Sequence, residues 1–402
     1  MNRLKVLYHH RTLKTDAQGI HVDRLIAALR RQGHEVVELS LVTQAGDGGA
    51  ERKEGWGFVR RLARGPLREI AELAYNVVAY PRLRREAKRL APDLVYERYS
   101  LHTHAGGLAA RAAGAPYVVE VNAPLARERA ETEGLFLRGL ARRSERGALE
   151  RADRVIAVTS ALKAILVEEG VAESRIVVMP NGVDLAAFDA PSAADVDAFR
   201  REHGLVPPVV GFVGFIRPWH GVDMLLKAMD SPELEAEAGG TVAIVGDGPA
   251  LEACRERAAA SPVLAGRVRF TGAIDAARIP VAMRAFDVAV QPAATSYACP
   301  IKLVEYMGAA RAIVAPDQEN VVELISREAA ALFRPMDALD LRRHVRRLLL
   351  DPAERERLGR TARRRLEERD LTWDGNARRV ADLVRDIERQ RSAEKEKGPA
   401  RR

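Results

Sequence analysis

The chain has 402 residues, 47% of them hydrophobic and 30% charged, which excludes a disordered polymer and is too long for one ordinary core. No apolar run approaches the roughly 20 residues of a membrane span, and the two cysteines, Cys254 and Cys299, are too few for a disulfide framework. The net charge of +8 favours an anionic partner and by itself names none.

The N-terminus passes directly into a strand, LKVLYHH (Leu4 to His10), with no signal-like apolar region. A cytoplasmic, reducing compartment is therefore the expectation. A loop ending in Gly19 leads to a helix with Leu25, Ile26 and Leu29 on one face and Arg24, Arg30 and Arg31 on the other. Residues 56–90 form an arginine-rich segment in which Trp56, Val59 and Leu62 share a face opposite Arg61 and Arg64. The runs HEVVELSLV, DLVYERYS, APYVVEVNAP and DRVIAVTS read as further strands separated by helical stretches.

RIVVMPNGVDLAAF (Arg175 to Phe188) ends a strand in a Pro-Asn-Gly turn, and a polar stretch from Asp189 to Pro207 follows. The alternation then restarts with PVVGFVGFI, GTVAIVGDG, RVRFTGA, FDVAVQPA and RAIVAPD. Strand and helix alternating in two runs predict an α/β chain of two Rossmann-like, doubly wound parallel-sheet domains facing across a cleft. The boundaries expected are residues 1–180 and 185–371, with a helix near 372–391 completing the first domain. That helix, LTWDGNARRVADLVRDIERQ, packs through Trp373, Val380, Leu383 and Ile387, and residues 392–402 form a disordered tail by composition.

Three stretches carry chemistry. In CPIKLVEYMGAARAIVAPD (Cys299 to Asp317), Pro300 suits a first helical turn. Lys302 and Glu305 then project on one side of a helix whose Ile301, Leu303, Val304 and Met307 face the sheet. A lysine near a helix N-terminus suits phosphate, and a carboxylate suits the vicinal hydroxyls of ribose. The alternative is an exposed ion pair contributing a few tenths of a kcal/mol. In GFVGFIRPWHGVDMLLKAM, a glycine-bearing loop holds Arg217, Trp219 and His220 between Gly214 and Gly221. Arg217 suits bidentate contact with a diphosphate, and a protonated His220 suits a second donor. IVGDGP (Ile244 to Pro249) is a strand–glycine–helix junction without the spacing of a Walker or dinucleotide fingerprint.

Together and in this order these elements, with PNGVD, VRFTGAI, FDVAVQPA and the N-terminal GIHVDRLIAALRRQGHEV, resemble the retaining GT-B glycosyltransferases of family 4. The resemblance covers nearly the whole chain. It implies the GT-B arrangement, with acceptor binding in the N-terminal domain and nucleotide-sugar binding in the C-terminal one. Glu305 matches the second glutamate of the family's E-x7-E motif, which binds ribose; Arg217 matches the phosphate arginine; Lys302 matches a lysine found in one branch. These three are the implied catalytic residues. Gly19, Gly214, His220, Gly246, Tyr297, Pro300 and Ile301 are implied on the donor side, and His21, Arg98 and Asn122 on the acceptor or sugar side. His102 and His104, in HTH before Gly106 and Gly107, are weaker candidates beside a reading as polar loop.

Three departures mark a divergent branch, one of them Asn122 in EVNAPL, where many members of the family have a histidine. Tyr297 stands where the first glutamate of E-x7-E falls, and His220 stands where a phosphate lysine is usual. The resemblance implies transfer from a UDP- or GDP-sugar as co-substrate, with no further cofactor and no metal; the one D-x-D, Asp195 to Asp197, reads as a helix start. The product class implied is glycan, exopolysaccharide or glycolipid. The basic segment 56–90 suits an anionic membrane surface and a lipid-linked acceptor, or else a solvated helix. Nucleic acid is not expected, because no aromatic–basic signature or DNA-reading module accompanies the charge. A nucleotide-sugar epimerase and a non-catalytic transferase-like subunit remain as alternatives.

Overall fold

The computed structural model describes residues 3–12, 17–41, 66–132 and 134–396. Trp56, Val59, Leu62, Arg61 and Arg64 of the basic segment lie outside these residues. The chain divides into two compact units, Met1–Pro180 with Asp374–Arg402, and Asn181–Trp373.

Unit 1 runs β1 (Lys5–His9), α1 (Ala17–Arg31), β2 (Glu35–Leu39), α2 (Pro66–Leu90), β3 (Leu94–Arg98) and α3 (Ala105–Ala113). It continues with β4 (Tyr117–Val121), α4 (Leu125–Thr132), α5 (Arg138–Leu149), β5 (Arg154–Ala157), α6 (Ser160–Glu168) and β6 (Ile176–Val178). The strands form a sheet of order β2-β1-β3-β4-β5-β6, parallel throughout. Strands β3 and β4 are buried along their whole length. Burial on both faces explains their nearly unbroken apolar sequences and makes each charged residue in them an exception that needs a partner.

Unit 2 runs α7 (Leu185–Asp189), α8 (Ala193–Glu202), β7 (Val209–Val213), α9 (Val222–Met229), α10 (Pro232–Ala238), β8 (Thr241–Val245) and α11 (Leu251–Ala260). There follow α12 (Pro262–Ala265), β9 (Val268–Gly272), α13 (Ile279–Arg284), β10 (Val288–Val290), α14 (Ile301–Gly308), β11 (Ala312–Pro316) and α15 (Glu319–Ile325). It closes with β12 (Ala331–Phe333), α16 (Ala338–Leu350) and α17 (Pro352–Glu368). Its sheet has the order β12-β11-β10-β7-β8-β9, and the core beneath it is built on Phe212, Leu225, Val242, Val288, Val314 and Val345. The polar stretch after Asp189 contains α8, which opens with a capping box: Ser192 Oγ accepts from the Asp195 amide, and Asp195 accepts from the Ser192 amide. The D-x-D is thus a helix start. Strand β12 has no counterpart in the sequence reading, because three residues show no periodicity.

The last helix, α18 (Trp373–Glu396), begins at the end of unit 2 and continues into unit 1. Trp373, Val380, Leu383 and Ile387 are buried as their spacing requires. The tail was expected from residue 392, yet the helix continues to Glu396. Arg391 anchors this end by donating to Asp153 at 2.9 Å and to the Gly114 carbonyl at 3.0 Å, and Ala393, Glu394 and Glu396 are good helix formers.

Candidate active site

In unit 2 the strand order reverses between β7 and β10, whose chain neighbours β8 and β11 lie on opposite sides. Such a switch point opens a crevice outside the carboxyl ends of the two strands. The loop Gly214–Gly221 leaves β7 here, and the loop Gln291–Pro300 leaves β10. Tyr306 of α14 joins the two strands: its hydroxyl accepts from the Val213 amide at 3.2 Å and donates to the Val290 carbonyl at 3.4 Å. This tyrosine fixes the helix carrying Lys302 and Glu305, and sequence reasoning passed over it because its partners are backbone atoms of strands distant in sequence.

Backbone bonds lace the first loop to the next one. The Gly214 amide donates to Val245 at 2.9 Å and the Ile216 amide to Asp247 at 2.8 Å. A Cβ on Gly246 would lie 2.0 Å from the Gly214 carbonyl, so Gly246 serves the crossing of the two loops. Arg217 lies between two half-exposed aromatic rings, 5.2 Å from the Phe215 centroid and 5.1 Å from that of Trp219. Stacking on two rings restrains the guanidinium.

Lys302 is half-buried and its Nζ sits 5.0 Å from the Phe212 ring centroid. Its Cε would lie 3.0 Å from a Cβ at Gly214, whose φ is +144°. Glycine there is what lets the lysine chain pass. Burial lowers the ammonium to about 8, against the opposing pull of Glu305. This is not the exposed ion pair of the alternative reading. His220 departs from expectation too. Burial first, then Lys302 and Arg217, bring it down to about 4, so it is neutral at physiological pH, and its Nδ1 is buried without a partner among the described residues.

The second loop is held from outside. Asn181 Nδ2 donates to the Cys299 carbonyl at 2.7 Å, and Asn320 Nδ2 to the carbonyls of Ala298 at 2.7 Å and Thr295 at 3.0 Å. These asparagines shape the turn that carries Tyr297, half-buried, into Pro300 and Ile301. Pro300 precedes the helix as its cap residue, and Ile301 is its first residue.

In unit 1 the structure brings His21, Arg98 and Asn122 together around Glu120, which the sequence reading passed over. Register places Arg98 on β3 opposite Glu120 on β4. Glu120 Oε1 receives Asn122 at 2.7 Å, Arg98 at 3.1 Å and His21 Nε2 at 3.1 Å, while Tyr96 donates to Oε2 at 2.5 Å. Arg98 also donates to His21 Nδ1 at 3.1 Å. That bond fixes the Nε2–H tautomer and a neutral ring; burial, the larger cause, acts in the same direction. Burial pushes Glu120 up, but His21, Arg98 and Tyr96 outweigh it and hold the carboxyl well below the usual range. Gly19 lies in the first turn of α1 and not in the preceding loop, since the helix begins at Ala17. First-turn amides have no partner within a helix.

His102 and His104 lie in the loop before α3, the first buried and the second half-buried. His102 is fully buried with neither ring nitrogen bonded, and His104 bonds Ser144 Oγ at 2.9 Å. Beside them Glu145 is buried, accepting from the Ala126 amide at 3.3 Å, and burial raises it to about 7. Its folded value exceeds its ordinary 4.5, so the stability that its neutral form supplies is complete below that value and lost as pH rises through about 7. Glu145→Gln is therefore expected to raise the melting temperature at pH 8, by about 1–3 kcal/mol of stability, and to change little at pH 4. A thermal melt at both values checks it; an equal effect at both rejects the ionisation argument.

The Glycosyltransferase Family 4 profile matches residues 18–187 and the Glycosyl transferases group 1 profile matches residues 207–351. A GDP-mannose-dependent alpha-mannosyltransferase of Mycolicibacterium smegmatis is 31% identical over 359 residues, 87% of this chain and 88% of its own. A 2-deoxystreptamine glucosyltransferase of Streptomyces kanamyceticus is 33% identical over 326 residues, 75% of this chain and 82% of its own. Anabaena HepE in complex with UDP superposes with a TM-score of 0.70 at 18% identity, across 95% of this chain and all of HepE. The two sheets and their order are those of the GT-B fold, and the chain belongs to glycosyltransferase family 4, enzymes that transfer a sugar from a nucleotide-sugar donor.

Proposed function

We propose that unit 2 binds a UDP- or GDP-sugar through Arg217, Lys302 and Glu305, and that the sugar passes to its acceptor with retention of configuration. The observation that carries the reading is the convergence of two cationic side chains and one carboxylate at the β7/β10 switch point. Negative charge grows on the diphosphate as the glycosidic bond breaks, and preorganised cations stabilise it more than they stabilise the ground state. Arg217 and Lys302 take that role. Neutral His220 contributes one N–H, and Glu305 accepts from the ribose hydroxyls. Departure of the diphosphate and entry of the acceptor hydroxyl on the same face give retention. Tyr297 replaces a carboxylate with a phenol ring at the sugar, which changes sugar choice without removing phosphate or ribose contacts. Membership of the family and relatives that are transferases favour this over an epimerase.

The acceptor is assigned to unit 1, with His21, Arg98 and Asn122 on its side and a lipid-linked substrate as the class. Among the described residues no helix is long and apolar enough to cross a membrane, so association with lipid rests on the surface of the fold.

The test is calorimetric titration with UDP and GDP at pH 7 and pH 9. Lys302 titrates near 8, so diphosphate binding takes up a proton above that value. Affinity is expected to fall about tenfold from pH 7 to pH 9. In Lys302→Met the affinity is lower at pH 7 and that step is lost. Binding of neither nucleotide, or a step of equal size in the variant, rejects the assignment.

A further inference from the structure

A groove of about 710 Å³ runs along unit 1 between α2, the loop before α3, α5 and the end of α6. One wall is apolar, with Leu73 of α2 and Leu140 of α5; its floor is the hydrogen-bonded pair His104 and Ser144. Its other lining is charged. Arg142, Arg143, Arg146 and Arg151 stand against Glu150 and Glu169. Arg146 is taken by Glu150 at 2.7 Å, and Arg151 donates to the Gly147 carbonyl and to His104. Arg142 and Arg143, both exposed, have no hydrogen-bond or ion-pair partner among the described residues.

The helices flanking the groove expose large apolar side chains. Leu67, Ile70 and Val77 of α2 are 63%, 53% and 77% exposed, and their spacing puts them on one face. Phe136, just before α5, is 63% exposed. Phe136 is not on a loose loop: Glu69 of α2 accepts from the Phe136 amide at 2.7 Å and from the Leu137 amide at 3.0 Å. That carboxylate ties the first turn of α2 to the start of α5 and sets their apolar residues side by side.

An exposed apolar row beside unpaired arginines costs solvation unless something covers it, and patches of this kind mark interaction sites. We propose that this face of α2 and α5 docks on an anionic phospholipid surface, Arg142 and Arg143 meeting headgroup phosphates and Phe136, Leu140, Ile70 and Val77 entering the acyl boundary. Charge complementarity selects the occupant: guanidinium beside apolar bulk matches a phosphate beside hydrocarbon. A protein partner would have to bring acidic and apolar groups in the same alternation. The inference deepens the reading of a lipid-linked acceptor and rests on it for its purpose.

The experiment is co-sedimentation of the full chain with phosphatidylcholine vesicles, with and without phosphatidylglycerol, alongside a UDP and GDP titration of the same samples. Binding is expected only with phosphatidylglycerol, weakening as salt rises. Arg142→Gln combined with Arg143→Gln is expected to lower the partition about tenfold or more, and Phe136→Ser to lower it at low and high salt alike. Nucleotide affinity stays unchanged in all of these variants, and thermal melts matching the wild type show that unit 1 folds in them. No binding by the wild type, equal binding to both vesicles, or an unaffected double variant overturns the docking face. So does binding of inorganic phosphate without vesicles. Failure here with nucleotide binding intact leaves the donor site standing, while vesicle binding without nucleotide binding rejects only the latter.

Discussion

Glu120→Gln is expected to destabilise unit 1 by about 3–5 kcal/mol, because it leaves Arg98 as a buried charge without its counter-ion. Arg98 is buried, and among the described residues its side chain bonds Glu120 and His21, each at 3.1 Å. The amide of glutamine also presents two donors to a place where Asn122, Arg98 and His21 already donate. Denaturant unfolding followed in wild type and variant measures the loss. A change below about 1 kcal/mol would mean that the cluster relaxes around a neutral side chain and is not an ionic keystone. The same variant bears on His21, which keeps its Nε2–H tautomer through Arg98 on one nitrogen and Glu120 on the other.

Glu305→Ala is expected to weaken UDP or GDP binding by a few hundredfold. Two hydrogen bonds from ribose to an ionised carboxylate contribute about 1.5–2 kcal/mol each, and 1.4 kcal/mol is a factor of ten. The second consequence is electrostatic. Glu305 is the group that resists the lowering of Lys302, which already titrates near 8. Without it the ammonium loses its proton at a lower pH, so the defect is expected to be larger at pH 8 than at pH 6.5. Calorimetry at the two values separates the effects. A constant defect assigns all of the loss to the ribose, and unchanged affinity removes Glu305 from the site.

The architecture was legible because it is periodic: apolar strands separated by amphipathic helices leave a pattern that survives without tertiary information. Lys302, Glu305 and Arg217 were legible because charges in otherwise apolar or glycine-bearing stretches need a reason to be there. Glu120 was not, although it sits in a strand read correctly. Its meaning comes from His21 on α1 and Arg98 on β3, and the pairing of Arg98 with Glu120 is a matter of register between strands. His220 shows the opposite failure. Its position was visible, but its protonation depends on burial and on Lys302, a residue far away in sequence. Tyr306, Asn181 and Asn320 were invisible for the same reason, since each acts by reaching backbone atoms of strands or loops it does not adjoin.

The course of α18 bears on how the protein is made. Asn376 donates to the Pro180 carbonyl at 2.8 Å, Arg31 and Asp374 pair at 2.8 Å, and Val380, Val384 and Ile387 fill unit 1 with apolar surface. The domain whose strands are synthesised before unit 2 therefore lacks its last packing element until unit 2 has been made, while unit 2 is complete in one contiguous stretch. Synthesis order and completion order are reversed. Expressed alone, residues 1–180 carry an uncovered apolar face, and joining residues 374–396 to that fragment in one polypeptide supplies the missing cover.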